Sequence, residues 1–353
     1  MKKVIDLNSL IRPNILDLKP YRSARDDFDS GILLDANENS FGAPFEDDLN
    51  LNRYPMPYQE RLRSKIADFR GIKSQNVFVG VGSDEAIDLL FRIFCQPGKD
   101  RILILPPTYG MYKVSAAIND ITVDEVLLTP EFQIRVDETL NAVTENTKII
   151  FLCSPNNPTA NNLKIEDISK IIDNFNGIVV VDEAYIDFSE QNSLAKDVLE
   201  KNNLVVLQTM SKSFGLAGIR LGIAMADSEI INYMMKVKAP YNVNKLTSQV
   251  ALKGLANTNA MKAKVNLIKY EREEIIKRLN AIPQVEKVYP SDANFLIFRI
   301  PEALSLYKKV AARGVVIRYR GNEPHCENCL RLTIGTPAEN DRFFEVLEKV
   351  LAE

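Results

Sequence analysis

Between residues 77 and 226 the chain carries a series of short, unbroken apolar runs, and these constrain its fold more than any other feature. They are Val77-Phe78-Val79, Ile102-Leu103-Ile104-Leu105, Ile149-Ile150-Phe151-Leu152, Ile178-Val179-Val180-Val181, Leu204-Val205-Val206-Leu207 and Leu221-Gly222-Ile223-Ala224. A strand with one wet face alternates apolar and polar residues. Runs without that alternation suit strands covered on both faces, as in a mainly parallel sheet between layers of helices. The intervening stretches supply the helices. After Ser83, for example, Ile87, Leu90, Phe91 and Phe94 recur on one helical face, with Asp84 and Glu85 in the first turn, where acids complement the helix dipole. The expected fold class is therefore α/β, with a large domain over residues 31–256 built on a mainly parallel sheet.

The last hundred residues change character. A long polar helix around 257–280 is followed by strand-like segments at 294–298, 315–318 and 330–334. Thr336-Pro337-Ala338-Glu339 then opens a terminal helix with a capping box and a proline at its first position, its apolar face formed by Phe343, Phe344, Leu347, Val350 and Leu351. This predicts a smaller α+β domain over 257–353. Residues 1–30, with charged patches such as Arg22-Ser23-Ala24-Arg25-Asp26-Asp27, are expected to form an N-terminal arm.

Lysine and arginine total 44 against 47 acids, for a net charge of -3, which argues against a broad nucleic-acid footprint. Met1-Lys2-Lys3-Val4-Ile5-Asp6 lacks the apolar stretch of a signal peptide, and no apolar run approaches the ~20 residues of a membrane span, so a cytoplasmic protein is expected. Cys95 and Cys153 lie in apolar runs and read as reduced core residues. Cys326 and Cys329 form a C-x-x-C beside His325, the one histidine, but no second pair or histidine cluster completes a zinc site, so no metal is expected. With a single histidine in a loop, a general base elsewhere has to be Lys, Asp, Glu or Tyr.

In an open α/β sheet, ligands bind beyond the carboxyl ends of the strands. Those positions read Gly80-Val81-Gly82-Ser83, Pro106-Pro107-Thr108-Tyr109, Ser154-Pro155-Asn156-Asn157-Pro158, Asp182-Glu183-Ala184-Tyr185 and Ser211-Lys212. Together they match the needs of one cofactor, pyridoxal 5'-phosphate. Lys212 is placed to form a Schiff base, since partial desolvation lowers an amine's pKa and frees its lone pair, and then to act as the base. Asp182, ionised, would keep the pyridine nitrogen protonated. Asn157 and Tyr185 offer hydrogen bonds to the phenolic oxygen, and Tyr109 a flat face to stack on the ring. Ser83 is read as the cap of a helix whose free N–H groups favour a phosphate, with Ser211 and Arg220 completing the cup.

The same residues carry a family resemblance that runs almost end to end. The chain resembles the pyridoxal-phosphate aminotransferases of fold type I, and most narrowly their histidinol-phosphate branch. The matching stretches include Leu34-Asp35-Ala36-Asn37-Glu38-Asn39, Arg53-Tyr54-Pro55, Gly82-Ser83-Asp84-Glu85, Pro155-Asn156-Asn157-Pro158-Thr159, Asp182-Glu183-Ala184-Tyr185, Ser211-Lys212-Ser213-Phe214-Gly215, Pro240-Tyr241-Asn242-Val243-Asn244 and Leu330-Arg331-Leu332-Thr333-Ile334-Gly335-Thr336. The resemblance implies a homodimer with shared active sites, in which Tyr54 reaches the partner's cofactor phosphate. It places Ser83, Asp84 and Glu85 at the cofactor and Asn37 at the substrate. It also implies that Arg331, Arg318 and Tyr21 grip the phosphate of histidinol phosphate and the carboxylates of glutamate or 2-oxoglutarate. Ala160 stands where the family usually has glycine, so the turn after Thr159 is expected to differ slightly.

The activity so implied is a transaminase of histidine biosynthesis, converting L-histidinol phosphate and 2-oxoglutarate to imidazole acetol phosphate and L-glutamate. An aromatic amino-acid aminotransferase and a threonine-phosphate decarboxylase are alternatives that keep the cofactor. A cofactor-binding regulator without turnover is the alternative outside enzymes.

Overall fold

Each apolar run becomes a strand in the computed structural model, which describes residues 4–28, 30–46 and 48–353; positions 1–3 and 29 of the expected arm lie outside the described residues. The strands of the larger sheet are β1 (Val77–Val81), β2 (Arg101–Ile104), β3 (Thr122–Glu125), β4 (Thr147–Cys153), β5 (Ile178–Asp182), β6 (Leu204–Thr209) and β7 (Leu221–Ala226). Their order across the sheet is β1-β7-β6-β5-β4-β2-β3. The pairs from β6 to β3 are parallel, while β7 runs antiparallel to both β1 and β6. The reversal matters for function, because it brings the start of β7 to the edge where the other strands end.

Burial on both faces explains the unbroken apolar runs. Along β5, Val179 and Val181 enter one apolar cluster while Ile178 and Val180 enter another on the opposite face. The second cluster contains Ile87, Leu90, Phe91 and Phe94 of the helix Gly82–Phe94, as its periodicity predicts. β3 has no such run. It is an edge strand whose Thr122, Val123, Asp124 and Glu125 are only half-buried or exposed.

Leu7, Ile11 and Ile15 are also buried in that second cluster, so the first described residues are docked on the sheet's helical layer. Leu7 lies in a 3-10 turn (Leu7–Ser9), Ile15 in a one-turn helix (Pro13–Leu16) and Ile11 between them, and burying each contributes about 1.5–3 kcal/mol. Lys236 Nζ clamps the end of this segment by donating to the carbonyls of Ile15 and Leu16 at 3.0 Å.

A second, antiparallel sheet follows in the order β10-β11-β9-β8, from β8 (Lys287–Val288), β9 (Phe295–Arg299), β10 (Arg318–Tyr319) and β11 (Cys329–Thr333). It packs with the long helix Thr258–Asn280 and the terminal helix Pro337–Leu351 around its own apolar cluster. Thr336 and Glu339 form the reciprocal capping box that the sequence announces. No helix among the described residues is long and apolar enough to cross a membrane.

Candidate active site

The carboxyl edge of the larger sheet and the end of β10–β11 enclose a cleft of about 550 Å³. Its lining includes Ser83, Asp84, Tyr109, Asn157, Asp182, Tyr185, Ser211, Lys212, Arg220, Arg318 and Arg331, all of them singled out in the sequence. The volume lies within the range that small-ligand and cofactor sites occupy.

Asp182 ends β5 and is 3% exposed. Burial raises its pKa above the ordinary carboxylate value, opposed by hydrogen bonds from Tyr112 Oη to Oδ2 at 2.8 Å and from the Ala184 amide to Oδ1 at 3.1 Å. Tyr112 was not read from the sequence. Its ring is buried against Phe151, which hides its partner, because the hydroxyl that seeks Asp182 lies on a helix remote in sequence.

Lys212 follows β6 in a tight loop and is half-buried. Burial lowers its pKa first, the Arg331 charge lowers it further, and Asp182 opposes both. Its Nζ lies 5.4 Å from the centroid of Tyr185, a buried ring that meets Phe295 edge-on. The loop is fixed by Thr209 Oγ1, which donates to the Leu221 carbonyl and accepts from the Ser211 amide at 3.1 Å.

The anion cup forms where β1 turns into its helix. Gly82 has φ +71°, and its amide donates to the carbonyl of Arg220, itself at φ +52°. A Cβ on Gly222 would lie 2.0 Å from the Gly82 carbonyl carbon, so only glycine at the start of β7 lets this turn close on the sheet. The helix begins at Gly82 with Val81 as its cap, so Ser83 does not cap it and lies inside the first turn. The free amides of that turn still face the cleft's end of the helix and favour an anion. Arg220 Nη2 stands 3.7 Å from Asp84 Oδ2, and Tyr109 Oη donates to Asp84 Oδ1 at 3.3 Å.

Glu85 departs from the sequence expectation. Its carboxylate turns back to accept from the Val81 amide and from Asn242 Nδ2, so it braces the turn from behind and is not part of the cleft lining. Its position one residue beyond Asp84 puts its side chain about 100° around the helix, away from the cup.

The small sheet supplies the facing wall. Arg318 and Arg331 are register partners on β10 and β11. Arg331 Nη1 donates to Asn157 Oδ1 at 2.5 Å, and its guanidinium lies over the Phe295 ring at 5.1 Å. Burial, followed by the charges of Arg320 and Arg318, pulls the Arg331 pKa down to about 10. Arg320 and Glu323 line the same wall and were not read from the sequence. The Arg318-Tyr319-Arg320 spacing carried that signal, because residues two apart on a strand share a face.

Three expected residues lie elsewhere in the chain. Tyr21, 68% exposed, lines a cleft with Tyr58, Met235 and Lys236, because the docked segment before it ends beside the helix Ser228–Val237 and not beside the arginines. Within one chain it does not join Arg318 and Arg331. Asn37 and Tyr54 line a surface recess with Asn244 and Lys245. Tyr54 stacks on Tyr241 at 4.6 Å, and its amide donates to Glu38 Oε1 at 2.6 Å. Burial would raise the Glu38 pKa, but hydrogen bonds from Arg25, the Tyr54 amide and Arg53 outweigh it and hold the carboxyl at about 2. Ala160 adopts φ +69° despite its Cβ, held by its amide bond to the Asn156 carbonyl at 2.7 Å and by Asp292, whose amide donates to its carbonyl at 2.7 Å.

The family model for aminotransferase class I and II matches residues 29–347. A histidinol-phosphate aminotransferase of Flavobacterium johnsoniae is 50% identical over 340 residues, covering 95% of this chain and 96% of that protein. Among solved structures, the histidinol-phosphate aminotransferase of Clostridium acetobutylicum superposes with a TM-score of 0.79 at 24% identity, over 85% of this chain and 91% of that one. The Sinorhizobium meliloti enzyme of the same name, solved in complex with pyridoxal-5'-phosphate, gives 0.77 at 22% identity, over 89% and 90%. The chain belongs to the class I and II aminotransferases and has their fold type I architecture.

Proposed function

We propose that the protein transfers the amino group of L-histidinol phosphate to 2-oxoglutarate, yielding imidazole acetol phosphate and L-glutamate, with pyridoxal 5'-phosphate as cofactor. The observation that carries this reading is one cleft holding a desolvated lysine and a buried carboxylate opposite a wall of arginines. The close relative named for this reaction supports the substrate assignment.

The donor set fits the cofactor. Asp182 would meet the ring nitrogen, Asn157 and Tyr185 the phenolic oxygen, and Tyr109 the ring face. The amides of Gly82–Asp84, with Ser211 and Arg220, would hold the phosphate. When bound, pyridoxal phosphate supplies an aldehyde and an electron-withdrawing ring. The chain's own residues do the rest. Lys212, its pKa lowered by burial and by Arg331, is the base that takes the proton from the substrate carbon bearing the amine. Asp182, as a carboxylate, would pair with a cationic ring N–H and hold the proton there. Arg331 and Arg318 bind the substrate's distal oxyanion and accept phosphate or carboxylate in turn, because a guanidinium fork pairs with either.

The proposed organisation is an arm over 1–30, a large domain over 31–256 and a small domain over 257–353, assembled as a homodimer. Tyr54, exposed on its own chain and braced by Glu38, is then offered to the partner's cofactor phosphate. Tyr21 and Asn37, also outside their own chain's cleft, act in the partner's site.

Arg331→Ala should raise KM for histidinol phosphate and for 2-oxoglutarate together, each by about tenfold to a hundredfold, as expected for losing a charge-assisted hydrogen bond. Steady-state rates for wild type and variant check this, with phenylalanine and threonine phosphate run beside histidinol phosphate. A wild-type enzyme for which histidinol phosphate is the poorest of the three contradicts the assignment.

A further inference from the structure

Arg320 occupies a place that the two-arginine account leaves unexplained. It lies just past β10, its amide donating to the Cys329 carbonyl at 2.9 Å, so its backbone is pinned to β11 beside Arg331. Its side chain lines the cleft with Arg318 and Arg331. Nη1 stands 3.9 Å from Glu323 Oε1, and Nε is buried with no hydrogen-bond partner among the described residues. Three guanidiniums on one wall repel each other, and burial together with Arg318 lowers the Arg320 pKa. Among the described residues, Glu323 is the one carboxylate on that wall, and it offsets part of this repulsion.

Such an accumulation suits a ligand with more negative charge than a carboxylate. A phosphate monoester carries about -1.5 to -2 at pH 7 and has three acceptor oxygens. A carboxylate carries one charge and two oxygens, which Arg331 and Arg318 can satisfy. Resting on the anion-pocket reading above, we infer that Arg320 is the specificity-determining residue that favours a phosphorylated substrate over a dicarboxylate in this cleft, with Glu323 as the counter-ion that the phosphate displaces. Glu323 then has a cost: it competes with the ligand for Arg320, so the pocket binds phosphate less tightly than three free arginines would.

The test uses the purified holoenzyme with histidinol phosphate and, separately, glutamate as donor. Arg320→Gln should raise KM for histidinol phosphate by about tenfold to a hundredfold with kcat nearly unchanged, because the contact is made in ground and transition states alike. KM for glutamate should change less than about threefold. Glu323→Gln should lower KM for histidinol phosphate, and Arg320→Lys, which keeps the charge without the fork, should fall between wild type and Arg320→Gln. Inorganic phosphate, as a competitive inhibitor against glutamate, should weaken in Arg320→Gln in parallel. Equal changes for both donors, or none, overturn the inference while leaving the proposed reaction standing. A wild-type enzyme inactive on histidinol phosphate overturns the reaction itself and this inference with it.

Discussion

Replacing Lys212 with alanine is expected to abolish transamination, lowering kcat by more than about 10⁴-fold, since a positioned base alone contributes roughly 10²–10⁴ and the anchor for the cofactor is lost as well. The fold should survive. The loop's own bonds, such as the Gly215 amide to the Lys212 carbonyl at 3.0 Å and the Leu216 amide to the Met210 carbonyl at 3.1 Å, do not use the side chain. Removing a half-buried cation that faces Arg331 also relieves repulsion. Circular dichroism and thermal melting should therefore match wild type while turnover is lost, and a small added amine should restore part of the proton transfer. Full activity in Lys212→Ala contradicts the role assigned here.

Asp182→Asn should be nearly as damaging to turnover and kinder to the apoprotein. The amide keeps the shape of the side chain, and its oxygen can still accept from Tyr112, but it cannot hold a charged ring nitrogen. A fall in kcat of roughly 10²–10⁴-fold is expected. The sign on stability is opposite. Burial raises the folded-state pKa of Asp182 above 3.8, so the folded protein holds this proton more tightly than the unfolded chain. Its contribution to stability is present below pH 3.8 and is lost as pH rises from there through the raised value. At neutral pH the cofactor-free asparagine variant should therefore melt no lower than wild type. A variant with unchanged kcat, or one that melts well below wild type without cofactor, contradicts this account.

The larger sheet was legible because burial on both faces writes itself as an unbroken apolar run, and all six such runs became strands. β3 was not, since an edge strand built from Thr122, Val123, Asp124 and Glu125 has little to bury. The two-residue strand β8 is shorter than any pattern can reveal. The docking of Leu7, Ile11 and Ile15 was not legible, because they sit in a 3-10 turn, a bend and a one-turn helix that share no single period.

The site was legible where chain order and strand order agree. Lys212, Asp182, Asn157 and Tyr109 sit at strand ends, so one topological rule brings them together. Ser83 and Glu85 show the limit of that rule, because the helix starts two residues earlier than a serine cap implies and its rotation turns Glu85 behind the cup. Tyr112 reaches Asp182 through tertiary packing alone. Tyr21 lies outside its own chain's cleft, since the segment before it is held by Lys236.

The most direct measurement is to add pyridoxal phosphate to the purified protein, reduce with borohydride, digest, and locate the modified peptide by mass spectrometry. The account predicts a visible absorption band on mixing and a single labelled residue, Lys212. A protein that stays colourless, or a label found on any other lysine, would contradict it.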